Sequence, residues 1–395
     1  MSDTLSFLPY AKQSISQEDI LEVNRALTSG AITRGPRVDA FEKALAQYCG
    51  ANYAVFFHSG TAALAAAYSA SGLSQIDRVI TTPNSFVATI GPALVKKATH
   101  IFIDIDSETG NLDLNQLKFN LENVSSRGKT FIVPVHFAGI AVDMKELDLM
   151  ISDPKTVVIE DAAHALGSSY PSGEKVGSCR YSQMTIFSFH PAKTITSGEG
   201  GAVTTNDPFL YRMLKRYRNN GIERDQAYWT EVDENGGYEG YYEVEEISNN
   251  FNVTEMQAAL AYSQLQRLDL FVEKRRELIK TYRTEFQRVV RVKMLTDAFD
   301  SHTAFHLCVV QIPFKELKIS RKEFINTLKA KGIGSQVHYI PLYRHPVFVR
   351  ASGNIKEYFP KMEKYYEHAL TLPLYYDMSK EDVRRVVGAL LEIFQ

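Results

Sequence analysis

Seven short apolar runs, separated by stretches of helical periodicity, dominate the chain between Ala54 and Thr205. They are AVFFH, RVITTP, HIFIDI, TFIVPVHF, TVVIED, MTIFSFH and GGAVTT. Most are rich in β-branched or aromatic residues and end in Gly, Pro, Asn or Asp, the marks of strands. Between them, TAALAAAYSA, LDLNQLKFNLENV and MKELDLMISD read as helices. Strands interleaved with helices are buried best as a mostly parallel sheet covered on both faces. An α/β fold is therefore expected for this part of the chain.

The pattern breaks between Gly221 and Ser248, where DQAYWTEVDENGGYEGYYEVEEIS is acidic, aromatic and Gly-bearing. A stretch of that kind reads as an extended excursion, functional or placed at a subunit contact. One long helix is expected from about Thr254 to Arg288, with Met256, Ala259, Leu260, Leu265, Leu268 and Phe271 as apolar positions. The strand-like HLCVVQI, the helix RKEFINTLKAKG closed by Gly332 and Gly334, and the final helix SKEDVRRVVGALLEIF suggest a smaller α+β unit. Ser379 and Asp382 are spaced as a capping box with Asp in place of Glu. A chain of 395 residues exceeds what one compact core usually spans. Two domains are expected, 1–252 with the N-terminal segment and the main sheet, and 253–395 with the long helix and the small unit.

A net charge of −2 gives no reason to expect nucleic acid or an anionic membrane as a partner. Cys49, Cys179 and Cys308 are scattered, form no CxxC pair and read as buried thiols in a reducing compartment. No metal site is expected. The N-terminus lacks the basic start and apolar core of a signal peptide, and no run approaches a membrane span. A cytoplasmic protein is expected.

Four clusters could carry chemistry. In VVIEDAAHALG, Asp161 closes a strand and His164 follows; an acid there is either a site group at the carboxyl edge of the sheet or a helix cap. In TIFSFHPAKTITSGEGG, Lys193 follows a strand end after Ser188 and His190. Desolvated, such a lysine is a competent amine nucleophile; solvated, it is an ordinary loop residue. The glycines after it fit neither GxGxxG nor the Walker pattern. FFHSGTAAL places Gly60 and Thr61 at a helix N-terminus, a phosphate cradle or a plain strand-to-helix turn capped by Ser59 or Thr61. Phe86 in TTPNSFVAT is either a core aromatic or a stacking face for a planar group.

Together these clusters resemble the type I fold of pyridoxal-phosphate (PLP) enzymes, and more narrowly the DegT/DnrJ/EryC1/StrS family of sugar-nucleotide aminotransferases. The resemblance runs from LPYAKQSI to the C-terminal helix. It implies an aspartate aminotransferase-like α/β/α domain with a smaller α+β domain. It also implies that Lys193 holds PLP as a Schiff base and shuttles a proton, with Asp161 on the pyridine nitrogen and His164 beside the ring. Phe86 would stack on the ring, while Gly60, Thr61 and Ser188 bind the phosphate. A homodimer is implied as well, with Asn250 of one subunit completing the phosphate site of the other. Some relatives with His in place of the lysine are sugar dehydratases; Lys193 argues against that chemistry. A different class, a non-catalytic PLP-binding regulator, would not need the intact set.

Within the family, FSFHPAKTITSGEGGAVTTND, VPVHFAG, EDAAHALGSSY and GIGSQVHYIPLY are most similar to members of pseudaminic acid biosynthesis. Those members aminate C4 of a UDP-linked 4-keto-6-deoxy-N-acetylhexosamine with glutamate as donor. The alternative is another nucleotide-linked keto sugar, GDP- or dTDP-linked, aminated at C3 or C4. The resemblance places substrate at Tyr10, at Gly30, Ala31, Ile32 and Thr33, and at Gln336, Val337, His338 and Tyr339. One departure stands out: the family reads Gly-x-Asn-x-Arg where this chain reads Ser248-Asn249-Asn250-Phe251-Asn252, so Asn252 replaces a fixed cation.

Overall fold

A computed structural model describes residues 6–394 except 125, 232–237 and 290. All seven expected strands of the main sheet form: β1 (Tyr53–Phe57), β2 (Arg78–Thr81), β3 (Thr99–Phe102), β4 (Thr130–Val133), β5 (Thr156–Asp161), β6 (Met184–Ser188) and β7 (Gly201–Thr205). Their order across the sheet is β1-β7-β6-β5-β4-β2-β3. Strand β7 runs antiparallel to both its neighbours, and the remaining strands run parallel. The carboxyl ends of β5 and β6 thus lie side by side, where open α/β sheets gather ligand groups.

Burial on both faces explains the nearly continuous apolar strands. Val55, Phe57, Ile159 and Ile186 pack on one face with Ala63, Ala66 and Ala67 of the helix Gly60–Ala70. Ala54, Phe56, Val158 and Phe187 pack on the other with Phe41 and Leu45 of the helix Pro36–Cys49. The same alternation divides the acidic pair at the end of β5. Glu160 faces away from Asp161 into a dry network. There it accepts from His136 Nε2 (2.7 Å), Thr185 Oγ1 (2.9 Å), Ser182 Oγ and the Tyr170 hydroxyl. Burial works to raise the Glu160 pKa, but these donors leave it below the usual carboxylate range.

The expected single long helix is two, Glu255–Leu265 and Leu268–Phe286. The break needs no proline. Arg267 leaves helical geometry (φ −110°, ψ 6°), and its Nη2 donates to Asp19 Oδ2 (2.5 Å). Ser263 and Gln264 donate to the same buried carboxylate. This distant partner, in the helix Gln17–Leu27, fixes the end of the first helix. Glu255 makes a comparable long-range contact: its carboxylate accepts the N–H groups of Gly35 (3.0 Å), Arg37 (2.9 Å) and Val38 (3.3 Å), capping the helix Pro36–Cys49 from 217 or more residues away.

The acidic-aromatic excursion folds back on itself. Ile222–Glu223 (β8) pairs with Glu243–Val244 (β9), and the Glu243 carboxylate accepts from the backbone of Thr230 and Glu231. Part of that segment, 232–237, lies outside the described residues. The last third of the chain builds an antiparallel sheet, β10 (Lys293–Met294), β11 (Cys308–Gln311) and β12 (Ala369–Leu372), in the order β10-β11-β12. Its core joins Val310 and Leu372 to Leu278 and Tyr282, Val383 and Val386 of the final helix, and Leu8 of the N-terminal segment. The Ser379–Asp382 capping box forms in both directions (2.8 and 3.1 Å). All three cysteines are buried and free. No helix among the described residues is long and apolar enough to cross a membrane.

Candidate active site

A cavity of about 830 Å³ opens at the carboxyl ends of β5 and β6. Lys193, Asp161, His164, Phe86, Gly60, Thr61 and Ser188 all line it, as do Tyr10, Gln336, Val337, His338 and Tyr339. Residues up to 335 positions apart in sequence, Tyr10 and His345, thus converge on one space.

Asp161 ends β5 and is buried. It is not a helix cap. Its Oδ2 accepts from Thr89 Oγ1 (2.6 Å), and Oδ1 accepts from the Ala163 N–H (3.2 Å). Thr89 is held in turn by Ser85 (2.5 Å). Desolvation pushes the Asp161 pKa up, opposed by these two bonds and by the charge of Lys193.

Lys193 sits in the turn between β6 and β7, its N–H bonded to the His190 carbonyl (2.8 Å). Its side chain is half-buried, and desolvation lowers its pKa to about 8 even though Asp161 favours the ammonium. The two groups sense each other, yet no ion pair joins them among the described residues. The cavity they both line leaves each free to face a third molecule.

The other features suit a planar phosphorylated cofactor. Ser59 caps the helix Gly60–Ala70 through the Ala62 N–H (3.1 Å), leaving the N–H groups of Gly60 and Thr61 at the open first turn. Gly60 approaches Ser188 so closely that a Cβ on it would lie 3.0 Å from the Ser188 Cβ. Backbone donors and a hydroxyl therefore meet in one small seat, chemistry that fits a phosphate. Phe86 is no core residue: it is 59% exposed and lines the cavity, an apolar face without a full partner. A carboxylate, an amine whose pKa is lowered to about 8, a stacking face and a phosphate seat together match the functional groups of PLP.

His164 is buried, and desolvation, then Lys193 and His338, keep it neutral. Its Nδ1 accepts from the Ala138 N–H (3.3 Å), which places the ring proton on Nε2, 2.9 Å from the Tyr339 hydroxyl. His338 Nδ1 lies 2.8 Å from Thr371 Oγ1, and burial followed by the charge of Lys193 lowers its pKa to about 3. Burial raises the Tyr339 and Tyr10 phenols, so both remain protonated hydrogen-bonding groups. Thr89 and His306 also line the cavity and escaped the sequence reading; neither sits in a pattern that marks it.

Five expected site residues lie away from the cavity. Gly30, Ala31, Ile32 and Thr33 run beside Val253–Glu255: Thr33 bridges Thr254, and Ile32 accepts the Glu255 N–H (2.9 Å). Asn250 is exposed a few residues earlier in the same strand-like segment. Its Oδ1 accepts both the backbone N–H (3.2 Å) and Nδ2 (2.8 Å) of Asn252. A backbone N–H can only donate, so the amide orientation is fixed and the Asn250 NH₂ is left to donate outward.

The profile of the DegT/DnrJ/EryC1/StrS aminotransferase family matches residues 13–391. The UDP-4-amino-4,6-dideoxy-N-acetyl-beta-L-altrosamine transaminase of Campylobacter jejuni (serotype O:23/36) is 33% identical over 98% of each chain. Among solved structures, Helicobacter pylori PseC, an aminotransferase involved in the biosynthesis of pseudoaminic acid, superposes with a TM-score of 0.88 at 29% identity, covering 98% of this chain and 99% of that one. The sugar aminotransferase Spr1654 of Streptococcus pneumoniae, solved in its PLP form, superposes with a TM-score of 0.85 at 25% identity over 98% of each chain.

The environment of Lys193 sets a pH signature. In cofactor-free protein, labelling of Lys193 by an amine-reactive reagent should rise through an inflection near pH 8, against ~10.4 for an ordinary lysine. Asp161→Asn removes the charge that favours the ammonium and should move the inflection lower still. An inflection above 10, mapped to Lys193 by peptide mass spectrometry, would contradict the site as described.

Proposed function

Because this chain belongs to the DegT/DnrJ/EryC1/StrS aminotransferase family, we propose that it moves an amino group from glutamate to C4 of a UDP-linked 4-keto-6-deoxy-N-acetylhexosamine, as in pseudaminic acid-type nonulosonate synthesis. The observation that carries the reading is the end-to-end likeness to transaminases of that name, joined to a cavity that holds Lys193 and Asp161 apart without pairing them. It is a PLP-dependent enzyme, and PLP when bound supplies an electron sink for amino exchange at carbon.

The chain's own groups divide the remaining work. The Gly60 and Thr61 N–H groups and the Ser188 hydroxyl hold the phosphate. Phe86 would cover one face of the ring. The Asp161 carboxylate, steadied by Thr89 and Ala163, holds a proton on the pyridine nitrogen. The amine of Lys193 would hold the cofactor and, when released, would serve as the proton carrier, a task suited to a group with pKa near the working pH. Tyr10, Gln336, Val337, His338 and Tyr339 meet the substrate. His164 donates to the Tyr339 oxygen, so the phenol's own proton is directed elsewhere, toward an acceptor. Free buried cysteines suit a reducing cytoplasm.

The active unit of this reading is a homodimer. Asn250 and the Gly30–Thr33 segment both lie outside their own cavity, as residues serving a second copy would. Asn252, in place of the family's Arg, supports this through neutral hydrogen bonds: it fixes the Asn250 amide with its donors outward.

Two experiments test the reading. Purified protein is offered glutamate and a panel of UDP-, GDP- and dTDP-linked 3- and 4-keto sugars, and products are identified by mass spectrometry and NMR. The expected product is the 4-amino UDP sugar, with Lys193→Ala slower by about 10³-fold or more. A product aminated at C3, or one carrying another nucleotide, would overturn the substrate assignment. For the shared site, mixing inactive Lys193→Ala and Asn250→Ala homodimers under verified subunit exchange should restore activity. No recovery would contradict contribution in trans.

A further inference from the structure

His306 stands just ahead of β11 and is 4% exposed, yet it forms part of the cavity wall. Its ring centroid lies 4.4 Å from that of His164. Three buried imidazoles line this cavity, and two have work inside the protein. His164 uses both nitrogens, on the Ala138 N–H and the Tyr339 hydroxyl, and His338 holds Thr371. The His306 Nδ1 is buried and has no partner. Buried polar atoms are rarely left so, and the ring that carries this one borders the cavity.

The backbone beneath His306 is built to stay in place. Its N–H donates to the Ala138 carbonyl (2.9 Å). Nη1 of Arg275 reaches the carbonyls of Phe305 (3.3 Å), His306 (3.3 Å) and Leu374 (3.0 Å). Phe305 (φ 45°) and Ala138 (φ 57°) both sit in the left-handed region although neither is glycine, strain of a kind that gathers at functional sites. Arg275 is itself buried and has no acidic partner among the described residues. An uncompensated cation therefore stands directly behind His306.

No arginine among the described residues lines the cavity, and Asn252 takes the place of the one the family carries. An amino-acid donor nevertheless brings a carboxylate that must give up its water. We propose that His306 receives the carboxylate of the amino donor, with Arg275 fixing it from behind and adding its charge. The inference rests on the aminotransferase reading with glutamate as donor. His306 faces Lys193, His164, Arg275 and His338, each of which disfavours a charge on its ring beyond the effect of burial. A carboxylate in contact reverses that balance, and the ring takes a proton from solvent as the donor binds. His306 is thus a specificity group for the donor half of the reaction.

The test uses the PLP-loaded enzyme and maleate, a dicarboxylate that cannot be transaminated. Calorimetry at pH 7.5 in two buffers of different ionisation enthalpy should show proton uptake with maleate in the wild type. His306→Gln should bind maleate about 10-fold or more weakly and lose the uptake, with its cofactor absorbance unchanged and KM for the keto sugar moved far less than KM for glutamate. Unchanged maleate affinity in a folded His306→Gln protein would overturn the proposal. Should that variant not fold, ¹⁵N-imidazole NMR of the wild type decides: the His306 signal is expected to shift to the protonated range with maleate, and a static signal would overturn the proposal. A wild-type enzyme whose cofactor absorbance glutamate leaves untouched would instead overturn the underlying aminotransferase reading.

Discussion

Two opposite charges held apart across a cavity are the constraint on which the site depends. Asp161 and Lys193 emerge from neighbouring parallel strands, β5 and β6, at the same edge of the sheet. Had they met as a buried ion pair, each would have satisfied the other and neither would be available. The structure instead gives Asp161 its own donors, Thr89 and Ala163, and leaves Lys193 poorly solvated. Desolvation then acts on the two in opposite senses, raising the acid and lowering the amine, so that both titrate closer to neutrality than in water. The alternation along β5 keeps the second acid, Glu160, out of this balance by pointing it into a separate, fully donated network.

Most of the fold was legible in the sequence because strands buried on two faces must be apolar throughout. The runs VFF, FIV, VVI and TIF could be read without knowing their partners. Asp161 and Ser188 sit at the ends of those same runs, while Lys193, in the turn beyond β6, stood out only through the family resemblance. What could not be read depends on contacts between distant positions. Thr89 meets Asp161 across 72 residues. His306 meets His164 across 142 residues, and nothing in TAFHLCVV sets it apart from a strand start. The break between Glu255–Leu265 and Leu268–Phe286 is likewise invisible locally, since the apolar spacing continues through it and the cause is Asp19, 248 residues from Arg267.

The segment from Asn250 to Glu255 connects the parts of the structure that a single chain leaves apart. Glu255 caps the helix Pro36–Cys49 and receives the Gly30–Thr33 segment alongside, while Asn252 sets the direction of the Asn250 amide. A short stretch of sequence thus arranges both groups that face away from their own cavity. The substitution of Asn252 for arginine exchanges a fixed charge for a defined amide geometry, and the charge on the cavity side comes from Lys193 and, behind His306, Arg275.

The central claim is that this cavity lets Lys193 act on bound PLP. The most direct measurement is the near-visible absorbance of the PLP-loaded wild-type protein as glutamate is added and then removed in favour of 2-oxoglutarate. The account predicts that glutamate abolishes the band and 2-oxoglutarate restores it. A band that no amino donor alters would contradict the account and leave a protein that holds PLP without using it.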